Sequence, residues 1–140
     1  MPLVTTFTAQ KLEPYMNPED AKTISIKLSA SKTLAAGTVL GRKTTGNTWE
    51  AYNDANSDGT EVAKAILQYA VATDASGNAF FGTAASSEFG ESSLTVPAYI
   101  SGTFHLGDLT GLDANGLADL NANLIFGDSV SDTTLGVIRF

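Results

Sequence analysis

Few residues in this chain are equipped for chemistry. Asp54-Ala-Asn56-Ser-Asp58-Gly59 matches the opening D-x-N-x-D-G of a calcium loop. In such a loop three side-chain oxygens precede a glycine-enabled turn, and a bidentate Glu closes the cage at the twelfth position. Counted from Asp54 that position is Ala65, and Glu61 comes too early to replace it. The stretch therefore reads as a solvated turn rich in Asn, Asp and Gly, and no metal is assigned. His105 is the only histidine. A catalytic His needs a carboxylate or nucleophile within hydrogen-bond reach. Asp108 is close in sequence, but Gly102, Gly107 and Gly111 make the region turn-rich rather than preorganised. Glu88 and Glu91 sit in a Ser/Gly-rich loop and read as solvated. Gly37-Thr-Val-Leu-Gly41 lacks the spacing and the Lys of a phosphate loop, and no Gly-x-Ser-x-Gly elbow occurs. No catalytic residue and no cofactor is assigned.

Composition narrows the classes further. The chain has 140 residues and no cysteine, which removes disulfides, thiol nucleophiles and thiolate metal sites. Its net charge of −7 is uneven along the chain. Seven basic and seven acidic residues precede position 66, and beyond it only Arg139 opposes eight carboxylates. That field repels a polyanion, so nucleic acid is not an expected partner. No apolar run approaches the ~20 residues of a membrane helix, so no membrane contact is expected either. Met1-Pro-Leu-Val-Thr-Thr6 has neither the basic nor the apolar region of a secretory signal, so synthesis in a cytoplasm and a soluble product are expected.

The elements that would position these residues are mostly strands. Lys22–Leu28 alternates Ile24, Ile26 and Leu28 with polar neighbours, the period of a half-buried strand. Thr38-Val-Leu40 resumes in β-branched character, and Thr45-Gly-Asn-Thr48 predicts a hairpin into Trp49–Tyr52. Trp49 and Tyr52 lie three apart, so a regular strand sends them to opposite faces. Residues 62–73 and 79–84 read as two strands around the turn Asp74-Ala-Ser-Gly-Asn78. Leu94–Pro97 and Tyr99–Phe104 read as further strand, with Pro97 marking an edge or a break. Asp113 caps one helix whose apolar stripe is Leu117, Leu120 and Leu124, weakened by Gly116 by ~1 kcal/mol relative to Ala. Leu135–Phe140 makes a terminal strand. The organisation expected is an N-terminal arm, residues 1–21, followed by a single β-rich domain, residues 22–140.

Several of these stretches occur in a recognisable order. Leu34-Ala-Ala-Gly-Thr-Val-Leu-Gly-Arg42, Trp49-Glu-Ala-Tyr52, Asp58-Gly-Thr-Glu-Val-Ala-Lys-Ala-Ile-Leu67 and the late Gly102–Asp113 together resemble the head decoration proteins of tailed phages. The similarity spans about residues 22–126. It implies a mainly β fold, a β-tulip-like small barrel or sandwich, with one short C-terminal helix and a flexible N-terminal arm. It also implies homotrimers on the outer surface of the virion capsid, where they clamp major capsid proteins against the pressure of packaged DNA. The loop 84–93 is long for that family, and the tail 127–140 has no counterpart in it.

Two sets of contact residues follow. Three prolines, Pro2, Pro14 and Pro18, discourage a helix in the arm. Val4, Thr5, Thr6, Phe7 and Thr8 form an extended segment suited to pairing with a major capsid protein edge. Trp49 and Tyr52 are the candidate contributors to the subunit interface. The competing expectation is a carbohydrate- or receptor-binding β module of a phage or bacterial surface. It would use Trp49, Tyr52, Phe80, Phe81 and Phe89 as an aromatic face.

Overall fold

The computed structural model describes residues 11–12, 21–82, 92–122, 131–132 and 137–139. Among them the chain is mainly β and wholly antiparallel in its ladders. The described residues form eleven strands: β1 (Lys22–Ile26), β2 (Thr33–Leu34), β3 (Val39–Arg42), β4 (Trp49–Ala51), β5 (Ala65–Leu67), β6 (Val71–Thr73), β7 (Ala79–Phe81), β8 (Val96–Ser101), β9 (Thr103–His105), β10 (Ser131–Asp132) and β11 (Val137–Arg139). One helix, α1 (Ala114–Ala122), follows a short turn at Leu106–Asp108.

The strands make a five-stranded sheet in the order β1-β8-β5-β3-β4 and two three-stranded sheets, β2-β6-β7 and β10-β11-β9. A parallel bridge from Leu28 to Trp49 brings the chain leaving β1 to the opposite edge at β4. The amide of Trp49 donates to the carbonyl of Lys27 at 2.9 Å, and that of Ser29 to the carbonyl of Trp49 at 3.1 Å. One bridge is no ladder, so the sheet curls without closing into a barrel and the architecture is that of a sandwich.

Alternation along the strands separates two cores. Leu40, Ala65, Leu67 and Ala98 turn to one face of the large sheet and meet Val71 of β6 and Ala79 of β7. Val39, Ile66 and Tyr99 turn to the other, where they meet Leu12, Phe104 and Leu120. A strand covered on both faces needs no polar positions. That explains why Ala65-Ile66-Leu67 is apolar throughout and fully buried.

The hairpins expected around Thr45–Thr48 and Asp74–Asn78 are present as β3–β4 and β6–β7. Gly46 and Asn47 both take positive φ, 86° and 56°, as a tight hairpin turn requires. Three expectations need correction. Residues 62–73 are not one strand: β5 belongs to the large sheet and β6 to a small one. The chain turns the corner over 68–70, which lets Leu67 and Val71 enter the same core. Ile24 shares a face with Ile26 and Leu28 by alternation, yet it is 37% exposed and stands outside the core that those two join. Pro97 stands inside β8, between β1 and β5, rather than on an edge. The β5–β8 ladder stops at Leu67 opposite Ala98, so the missing donor falls where that ladder ends.

Candidate docking surface

The lead-in from the N-terminus is seated at the corner between β5 and β6. The amide of Leu12 donates to the carbonyl of Gln68 at 2.7 Å, and its carbonyl accepts from the Tyr99 hydroxyl at 2.9 Å. Gln68 Nε2 donates to the same hydroxyl oxygen at 3.1 Å. The Leu12 side chain is buried in the core with Tyr99 and Phe104. Lys11 bridges Tyr69, and its ammonium lies 5.9 Å from the centre of that ring. Tyr69 in turn meets Phe81 edge-on at 5.2 Å. Within residues 1–21, then, Lys11 and Leu12 are tied to the body of the domain. Val4–Thr8 lies outside the described residues, as do Glu88, Phe89, Glu91 and Leu124.

The outer edge of the large sheet is the second feature. Among the described residues β1 is the terminal strand, and Lys22 to Ser25 are all exposed. Ile24 and Ile100, on neighbouring strands of the same face, are 37% and 36% exposed. An exposed edge with apolar side chains is where another chain can add a strand or a covering surface.

Trp49 and Tyr52 are buried within the single chain, in separate cores on opposite faces as their spacing requires. Phe80 is half-buried and Phe81 exposed on β7. Among the described residues these aromatics therefore form no common platform for a sugar.

Tyr52 does more than pack. Its hydroxyl donates to Asp113 Oδ1 at 2.8 Å, and the same oxygen accepts the Gly116 amide at 2.7 Å. Asp113 thus caps α1 as its sequence position predicts. The Gly116 amide and then the Tyr52 hydroxyl hold its carboxyl below the usual range. Burial, reinforced by the Asp113 carboxylate, pushes the Tyr52 phenol upward.

Charge is organised at the hairpin end. Glu50 takes Lys43 at 2.9 Å and Lys32 at 3.0 Å, and Ser29 Oγ donates to it at 3.0 Å. The Lys43 hydrogen bond is the main reason that its carboxyl titrates below the ordinary value.

The residues first considered for chemistry are otherwise employed. Asp54 Oδ2 accepts from Asn115 Nδ2 at 2.8 Å, and Asp58 Oδ1 accepts from the Thr60 amide at 3.1 Å. Glu61 Oε2 accepts from the Gly59 amide at 2.7 Å. The carboxylates of the loop thus turn to different partners instead of one centre. Among the described residues no acidic or His group has the arrangement of a metal site, and no helix is long and apolar enough to cross a membrane. His105 is exposed at the end of β9. The seat of Leu12 was not foreseen. Its only sequence signal was one apolar residue between Lys11 and Glu13.

These features define a small antiparallel β module with an anchored Leu12 and an exposed sheet edge. The family model of bacteriophage lambda head decoration protein D matches residues 15–116, and the chain belongs to that family. Its members are structural capsid proteins of phages, not enzymes. The match starts within the arm and stops at Gly116, in the first turn of α1. No curated protein and no solved structure gave a match.

Proposed function

We propose that this chain binds the outside of the expanded phage head and stabilises it against the pressure of packaged DNA. The observation that carries this reading is the family match over residues 15–116. The working form is a homotrimer at three-fold positions of the shell, and the partner is the major capsid protein. A trimer repeats one modest contact three times, so weak docking surfaces add through effective concentration.

Val4, Thr5, Thr6, Phe7 and Thr8 add a strand to an edge of the major capsid protein in this reading. Backbone hydrogen bonds supply the affinity, and Phe7 fills one apolar pocket. The seat of Leu12 supports the assignment, because it holds Lys11 and Leu12, three and four residues beyond Thr8 in the chain, against the body of the domain. In the same reading the end of the β3–β4 hairpin is the subunit contact, shaped from inside by Trp49 of β4 and by Tyr52 just beyond it.

The test is to add the purified protein to expanded heads lacking it and to image them by electron cryomicroscopy. Density at the three-fold positions, and heads that resist heat or chelation longer, are expected. Heads that stay bare, or carry only scattered monomers, would sink the proposal.

A further inference from the structure

Two dipeptides in this chain belong to the most fragile in protein chemistry: Asn115-Gly116 and Asp58-Gly59, the single Asn-Gly and the single Asp-Gly. At Asn-Gly the following amide nitrogen loses its proton and attacks the side-chain Cγ. The Cγ–Nδ2 bond breaks and ammonia leaves. One water then opens the succinimide to Asp or isoaspartate. At Asp-Gly the same attack expels water, and water returns to give isoaspartate. Glycine makes both pairs fast because no side chain hinders the nitrogen.

In both pairs a carboxylate holds the attacking nitrogen. The Gly116 amide donates to Asp113 Oδ1 at 2.7 Å, and the Gly59 amide donates to Glu61 Oε2 at 2.7 Å. Each target side chain is held as well. Asn115 Nδ2 donates to Asp54 Oδ2 at 2.8 Å, while Asp58 Oδ1 accepts both the amide and the hydroxyl of Thr60. A charge-assisted hydrogen bond of this kind fixes the direction of the N–H. The adjacent negative charge also disfavours the deprotonated nitrogen that must attack.

We propose that Asp113 and Glu61 are chemical locks, which keep Asn115 from deamidating and Asp58 from isomerising in the folded chain. The opposite action is chemically open to a carboxylate, since it could take the proton as a base and speed the attack. Experiment separates the two. The full-length protein is incubated at mildly alkaline pH below its unfolding temperature, beside the same chain held unfolded in urea. Peptide mapping by mass spectrometry reads Asp and isoaspartate at 115 and isoaspartate at 58.

Both sites should react at least about tenfold more slowly in the folded chain, since local opening must precede the attack. Asp113→Ala should accelerate site 115 while leaving site 58 slow, and Glu61→Ala should do the reverse. Each variant is thus the other's control for general loosening of the fold. If Asp113→Ala does not fold, Glu61→Ala with its paired readout decides alone. Slower reaction in either variant, equal acceleration at both sites, or a folded chain as fast as the unfolded one would overturn the proposal.

Discussion

The Tyr52 hydroxyl donates a 2.8 Å hydrogen bond to Oδ1 of Asp113, 61 residues further along the chain. It ties the end of the β3–β4 hairpin to the first turn of α1. The same carboxylate oxygen takes the Gly116 amide, so one atom caps the helix and anchors it to the sheet. Secondary and tertiary structure are therefore coupled at a single side chain.

Tyr52→Phe should keep the packing and lose this hydrogen bond, lowering stability in urea titrations by about 1 kcal/mol. The phenol's value is raised above 10.0 in the folded chain. The stabilisation it reflects is fully present below pH 10.0 and declines as pH rises toward the raised value. The wild type should therefore lose stability more steeply than Tyr52→Phe above pH 10.0. Parallel alkaline limbs would show that Tyr52 is not so linked.

Gly116→Ala gives a test whose sign is informative. In an exposed helix the change would stabilise by roughly 1 kcal/mol. Here a Cβ would stand 2.9 Å from Cε1 and 3.1 Å from Cζ of Tyr52, tighter than ordinary contact. The ring is buried and has little room to shift. Net destabilisation of about 1–3 kcal/mol is expected. A rise in the unfolding midpoint would mean that the ring does not lie against the helix as described.

Local patterns in the sequence carried much of this fold. Alternation at Ile26 and Leu28, the Gly46-Asn47 turn and the Asp113 cap all depend on neighbours close in sequence, and all are present. The spacing of Trp49 and Tyr52 predicted opposite faces, and the two rings lie in separate cores. The sheet switch between Leu67 and Val71 was hidden, because a run of apolar residues reads alike whether or not it bends. Leu12 was hidden for another reason: its partners Gln68 and Tyr99 are remote, and no periodicity surrounds it. The chemical locks at Gly116 and Gly59 needed side-chain geometry, although the fragile pairs themselves were written in the sequence.

Acid should loosen the hairpin end through Glu50. Its carboxyl lies below 4.5 in the folded chain, chiefly through the Lys43 hydrogen bond. A depressed value stabilises above pH 4.5, and that contribution is lost as pH falls through the lowered value. Glu50→Gln should therefore narrow the gap in stability between pH 7 and acid conditions. The effect should be modest, because the lysines are partly exposed, and should shrink with added salt. Identical acid limbs in thermal melts of the two proteins would refute the assignment.

The arm and its seat can be separated by two changes on either side of Lys11. Leu12 is 5% exposed among Tyr99 and Phe104, so Leu12→Ala should cost about 2–4 kcal/mol of stability. Deleting residues 2–10 spares that seat and should shift stability by no more than ~0.5 kcal/mol. The same deletion removes Val4–Thr8, and affinity for expanded heads should fall by about tenfold or more. Affinity is read by sedimentation of decorated heads, and stability by urea titration of the free protein. The two variants should thus fail differently, one in folding and the other in docking. If the deleted chain decorates heads as tightly as the full one, the strand-adding role of Val4–Thr8 is wrong, and the exposed β1 edge with Ile24 and Ile100 becomes the surface to mutate next.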